Sequence, residues 1–114
     1  MIEKTVINHL DTALSVPVYA ERPEVPDDSY IIVEKVGGDE RNRIPSATIA
    51  VQSHAKTLLE AAQLNLQVKA AMKRLVEQDS VSKCALNSDY NYTDETTKSY
   101  RYQAVFDITY YEEG

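Results

Sequence analysis

The sequence PVYAERP at residues 17–23, followed by YIIVEKV at residues 30–36, decides the predicted fold. The second stretch is rich in β-branched and aromatic residues, which favour a strand, and Gly37-Gly38 predicts that the strand ends there. Pro17 ends any preceding helix, because the residue before a proline avoids helical angles. Prolines near both ends of the first stretch predict only a short edge strand over Val16–Glu21.

The segments on either side complete the predicted order of elements. Apolar residues recur every fourth position from Ile2 to Leu14, which predicts a short amphipathic helix. The polar residues of Gly38–Pro45 predict a loop, and Ala47–His54 predicts the next strand. The remaining predicted elements are a long helix over Lys56–Glu77 and two closing strands over Ser82–Tyr92 and Ser99–Tyr111.

The long predicted helix carries two apolar stripes. A helix at the surface of a domain needs only one stripe to face the core. The second, nearly opposite stripe is therefore a candidate interface, and we expect it to be buried against the first helix or against a neighbouring subunit. The core stripe consists of Ala61, Leu64, Val68, Ala71 and Leu75, and the candidate interface of Leu59, Ala62 and Leu66.

The two closing strands predict a tyrosine-rich hairpin. The last strand alternates regularly between its two faces, as a half-buried strand does. A turn centred near Thr96 would pair Tyr92 with Tyr100 and Tyr90 with Tyr102. Cross-strand aromatic pairs of this kind stabilise a hairpin by roughly 0.2–1 kcal/mol each.

Runs of adjacent strands, rather than alternating strands and helices, predict the α+β class. We expect one domain over residues 1–114, with a mostly antiparallel sheet of about five strands and two helices packed on one face. The net charge is −6 and the Lys and Arg residues are scattered, which argues against binding of duplex DNA by the isolated chain. No signal peptide or membrane span is predicted, so we expect a cytoplasmic protein.

The sequence contains no recognisable catalytic constellation. It has neither a nucleophile elbow nor a phosphate-binding loop, and His9, His54 and Cys84 lack metal-ligand spacing. We expect both histidines to be ordinary surface or boundary residues and the thiol to be buried and inert. The acidic run of residues 21–28 misses the calcium-loop pattern and predicts a solvated loop. No enzymatic activity, cofactor or metal is expected.

The order of these elements resembles the tail-terminator or head–tail joining (minor capsid) proteins of long-tailed bacteriophages. The resemblance covers nearly the whole chain and rests on the helix before Pro17, the strand Val18-Tyr19-Ala20-Glu21-Arg22-Pro23, residues 30–38, the strand leading into helix 56–77, and the tyrosine-rich last strand. It implies a phage or prophage of a Gram-positive host. It also implies a sheet backed by two helices, without catalytic residues.

The resemblance further implies the partners of the chain. Such proteins form a homo-hexameric ring that caps the finished tail tube, joins it to the head-completion or connector protein, and resides in the virion after assembly in the host cytoplasm. DNA passes through the lumen of such a ring without sequence-specific recognition. Two alternatives stay open, another head-completion or neck component and a small ligand-binding domain.

The charged segment between Gly37 and Pro45 is the second candidate interface. Two consecutive glycines give its base freedom to move, and its side chains suit charged contacts rather than a core. We expect it to be a loop that orders on assembly, with an ordinary mobile loop as the alternative. Its candidate contact residues are Asp39, Glu40, Arg41 and Arg43.

Overall fold

The computed structural model describes residues 1–41 and 44–111 of the chain. The fold is α+β, as predicted. The elements in chain order are α1 (Ile2–Ala13), β1 (Val18–Tyr19), β2 (Tyr30–Arg41), β3 (Ile44–Ala55), α2 (Leu58–Lys73), a 3-10 turn (Leu75–Glu77), β4 (Val81–Asn91) and β5 (Tyr100–Tyr110).

The five strands form one sheet in the order β1-β2-β3-β5-β4. The two-residue strand β1 runs parallel to β2, and every other neighbouring pair is antiparallel. Because β1 pairs only with β2, the prediction of a short edge strand near Pro17 is confirmed, although the strand is shorter than Val16–Glu21. At the opposite edge of the sheet, β4 pairs only with β5.

Helix α1 buries the apolar stripe that the sequence predicts. Ile2, Val6 and Leu10 are buried, as the spacing of four predicts. The helix ends at Ala13, and Leu14 has an extended backbone three residues before Pro17.

Helix α2 begins after Thr57, whose hydroxyl accepts a hydrogen bond from the backbone N–H of Glu60 at 3.2 Å. This N-cap satisfies one of the free donors of the first turn. The predicted helix was too long, because regular α-helix ends at Lys73 and the chain tightens into the 3-10 turn. The predicted core stripe of α2, from Ala61 to Leu75, is buried throughout.

One cluster of buried side chains forms the core. It contains residues of both helices together with one alternation set of the central strands. His9 adds a polar link between the helices, because its Nε2–H donates to the carbonyl oxygen of Ala71 at 2.7 Å. The strand residues of the cluster include Ile31, Val33, Ala47, Ile49, Val51, Ala104, Phe106 and Ile108.

The prediction of a loop over Gly38–Pro45 is wrong for the described residues. Strand β2 continues through both glycines to Arg41, and β3 already begins at Ile44. A register shift between Lys35 and Gly37 lets the strand pass Val36 without ending, as a β-bulge does. Neither glycine has a positive φ, so both adopt ordinary extended backbone.

The register of the closing hairpin differs by one residue from the prediction. Asn91 pairs with Tyr102 and Tyr90 with Gln103, so the predicted tyrosine pairs do not form. The turn is closed by a bridge between Asp94 and Ser99, so its centre lies half a residue beyond the predicted centre at Thr96. A shift of the turn centre by half a residue changes every cross-strand pair of the hairpin.

Candidate functional site

The predicted apolar interface on α2 is exposed within this chain. Leu59 is 69% exposed and Leu66 is 62% exposed, whereas Ala62 is partly buried. The expectation that this stripe is buried against the first helix is therefore wrong for both leucines, which are largely exposed in this chain. Burial against a neighbouring subunit stays a prediction.

The described residues of the second predicted interface lie on the β2–β3 hairpin and not on a loop. Asp39 and Glu40 are exposed residues of the paired strand β2, and Arg41 is its last residue. Asp39 Oδ1 accepts the Glu40 N–H at 2.8 Å, and the carbonyl oxygen of Asp39 accepts from the Ser46 hydroxyl at 3.3 Å. Arg43 lies outside the described residues. The backbone of residues 37–41 is thus already ordered by strand pairing, and whether it contacts a partner stays a prediction.

The structure keeps the two predicted interfaces apart. Strand β3 starts at Ile44 beside the hairpin and runs to Ala55, which leads into α2. Twelve strand residues span roughly 40 Å, so Leu59, in the first turn of α2, lies far from the Arg41–Ile44 pair at the other end of β3. Leu66, two turns further along α2, lies closer to the middle of the sheet.

A groove between α2 and the edge strand β4 brings Leu66 together with residues that the sequence analysis did not select. Its volume is about 470 Å³. Leu86 of β4 lines it and is 51% exposed. Burial raises the pKa of the Cys84 thiol to about 11, so this lone cysteine is a poor nucleophile. The full lining is Leu66, Lys69, Ala70, Met72, Lys73, Cys84, Leu86 and Phe106.

Charged and polar contacts fix the two walls of this groove relative to each other. Asn65, on α2, is buried and donates to Asp89 Oδ1 on β4 at 2.6 Å. Lys69 of α2 forms an ion pair with the same carboxylate. Lys73, one turn further along, is exposed and makes no ion pair within residues 1–41 and 44–111.

The other alternation set of the central strands carries a row of hydrogen-bonded polar side chains. His54 Nε2–H donates to Gln52 Oε1 at 3.1 Å, Gln52 Nε2 donates to Gln103 Oε1 at 3.0 Å, and Gln103 donates to the Tyr90 hydroxyl. The row therefore crosses from β3 through β5 to β4. These side chains use most of their hydrogen-bonding groups on one another, which leaves few free donors for a ligand.

His54 is buried, and so it is not the surface or boundary residue that was expected. It is only 4% exposed, and its ring stacks on Tyr30 with centroids 4.6 Å apart. Burial, followed by the positive charges of Arg101 and Arg22, lowers its pKa to about 4. The imidazole is therefore neutral near pH 7, and its contacts are those of a packed aromatic residue.

The acidic run is partly tied to its neighbours. The Tyr19 hydroxyl donates to Asp27 Oδ2 at 2.7 Å, and Asp28 lies 3.3 Å from Lys56 Nζ. Among the described residues, no group of three or more His, Cys, Asp or Glu side chains is placed to hold a metal ion. None of the described helices is both long and apolar enough to cross a membrane.

Comparisons with known proteins leave the chain without a family assignment. No protein-family model matches it, and no curated protein matches it in sequence.

Proposed function

We propose that this protein is a structural component of a phage or prophage tail, of the tail-terminator kind, which assembles into a ring. The order of its elements supports the proposal through the resemblance described above, and its α+β fold with two helices agrees with it. The observation that carries the proposal is the apolar groove between α2 and β4, with Leu66 and Leu86 exposed on its two walls.

Exposed leucines that share one groove suit a protein–protein contact better than solvent. Isolated apolar side chains at a surface are common, but a contiguous apolar patch on a lone domain usually marks an interaction site. Full burial of one leucine side chain contributes about 1.5–3 kcal/mol. Because Leu66 is 62% and Leu86 51% exposed, a contact that covers both would contribute about 2–3 kcal/mol to assembly.

The proposed partners are further copies of this chain, the tail-tube protein and the head-completion or connector protein. In this arrangement the groove serves contacts between copies. The β2–β3 hairpin, with its exposed charged residues Asp39 and Glu40, is the proposed contact with the tube or with the lumen of the ring. DNA would pass through that lumen without base-specific contacts.

The variant Leu66→Glu tests this proposal against the matched variant Gln67→Glu. Both substitutions place a carboxylate at an exposed position of α2, but Gln67 belongs neither to the candidate stripe nor to the groove lining. Leu66→Glu should abolish rings and capped tails in electron micrographs of the protein mixed with its tail tubes, whereas Gln67→Glu should assemble normally. Normal capping by Leu66→Glu, with an unchanged melting temperature, would refute this role for the groove.

A further inference from the structure

The connection between β1 and β2 presents one apolar side chain to solvent. Val25 is 87% exposed, and it stands between Pro23 and Pro26. Prolines restrict the backbone around it and reduce the entropy that binding would cost. The hydrogen bond to Asp27 and the ion pair of Asp28 hold the end of this connection, so Val25 is displayed on a restrained segment.

The surroundings of Val25 are acidic. Glu21 and Glu24 are exposed, and neither forms an ion pair within the part of the chain that the structure describes. Residues 21–28 carry four carboxylates against the single guanidinium of Arg22. The segment therefore combines an exposed apolar residue with an excess of negative charge. It lies beside β1, at one edge of the sheet.

The opposite edge of the sheet carries the complementary surface. The groove between α2 and β4 is lined by Leu66 and Leu86, and the exposed ammonium group of Lys73 stands at the same site. An apolar groove bordered by positive charge fits an apolar residue flanked by carboxylates, and such complementarity selects partner and register.

We propose that Val25 of one copy docks into the α2–β4 groove of the next copy, with Glu24 facing Lys73. This inference rests on the proposed function, because it names the contact that would join subunits of the ring. Each copy carries both surfaces at opposite edges, so the contact is head-to-tail, and head-to-tail contacts close into a ring when the rotation permits. Val25 is then one apolar contact of a larger interface, and the contacts around it exclude water.

A charge exchange tests the pairing of Glu24 with Lys73. Glu24→Lys and Lys73→Glu should each raise the protein concentration needed for half-maximal assembly by about tenfold, as expected when one charge of a close pair is reversed. The double variant Glu24→Lys/Lys73→Glu should assemble within about threefold of the original chain, because the pair is restored with opposite polarity. A double variant no better than the single ones would overturn the pairing.

Disulfide trapping tests the position of Val25. In a Cys84→Ser background, Val25→Cys combined with Leu86→Cys should give a ladder of covalent multimers when the concentrated protein is oxidised. The matched control combines Val36→Cys, an exposed valine of β2, with Leu86→Cys and should give no ladder. Trapping also captures contacts too weak to survive gel filtration, so the absence of a ladder overturns the inference.

These outcomes separate the inference from the proposed function. Rings that cap tails, formed by a protein without a Val25–Leu86 ladder, would refute the contact and keep the function. A ladder from a protein that never caps tail tubes would keep the contact and refute the function. If Leu86→Glu abolishes tube binding while Val25→Asp changes nothing, the groove receives another protein, which also overturns the inference.

Discussion

His54 is a basic side chain that this fold holds uncharged. It stacks on Tyr30, donates to Gln52, and lies close enough to Arg101 and Arg22 for their charges to oppose its protonation. Protonation in place would put a third positive charge into a buried position. The residue therefore packs in the sheet as a neutral aromatic side chain. Its basicity lowers the stability of the fold only at acidic pH.

The stability of the protein should fall in acid because of this residue. The pKa of His54 is lowered from 6.5 to about 4, so below pH 6.5 the unfolded chain binds a proton that the folded chain refuses. The free energy of unfolding should drop by up to about 1.4 kcal/mol per pH unit between pH 6.5 and 4, and then level off. Above pH 6.5 this residue contributes no pH dependence.

Urea unfolding at a series of pH values measures this effect, and His54→Phe is the control. Phenylalanine can still stack on Tyr30 but cannot take up a proton. The variant should lose the part of the acid slope between pH 6.5 and 4. An identical slope in both proteins would mean that other groups govern the acid response.

The burial of single residues was predictable where the local sequence pattern determines it. The spacing of Ile2, Val6 and Leu10 was enough to assign them to the core. His54 was not predictable, because its burial depends on Tyr30 across the β2–β3 pair and on charges from other segments. Leu86 was missed for the same reason, since no sequence pattern shows that it faces α2.

At the scale of elements, the β2–β3 hairpin depends on Gly38 more than on Gly37. A Cβ atom at position 38 would lie 3.0 Å from the carbonyl oxygen of Ser46 and 3.1 Å from the Lys35 side chain. At position 37 the nearest atom would be the Cβ of Thr48 at 3.9 Å, which is an ordinary contact. The two adjacent glycines thus serve different purposes, and only Gly38 keeps the strands in close approach.

Replacement of each glycine by alanine should separate these roles. Gly38→Ala should lower the free energy of unfolding by about 1–2 kcal/mol, because the backbone of β3 must shift. Gly37→Ala should be neutral or stabilising by about 0.5 kcal/mol, because alanine restricts the unfolded chain and fits the extended backbone. Chemical denaturation of both variants measures the difference. Equal effects of the two substitutions would contradict the assigned packing.

The kinds of element were more predictable than their ends and registers. Residue types identified the helices and the strand starting at Tyr30. The prediction that Gly37-Gly38 ends this strand was wrong, because a β-bulge and continued pairing with β3 extend it to Arg41. The one-residue error in the β4–β5 register arose because turn length, set by the Asp94–Ser99 bridge, cannot be read from alternation alone. Strand pairing is a long-range property that local patterns do not contain.

At the scale of the whole molecule, the sheet has two different edges on a body of 44 × 25 × 24 Å. One edge carries the acidic connection with Val25, and the other carries the groove with Leu86 and Lys73. The sequence indicated a second apolar stripe on α2 but did not indicate the groove. The groove forms only because β4 lies beside α2 in the folded chain, and this tertiary contact cannot be read from the sequence pattern. The proposed ring follows from joining these unlike edges in succession.

The mass of the assembled protein tests the central claim of a closed ring most directly. Light scattering after size exclusion, on the protein alone and after incubation with its tail tubes, should give a species of six times the 12.8 kDa chain mass in at least one of the two conditions. That species should also be lost in Leu66→Glu. A mass of one chain in both conditions, or an open-ended series of masses without a closed hexamer, would contradict the account.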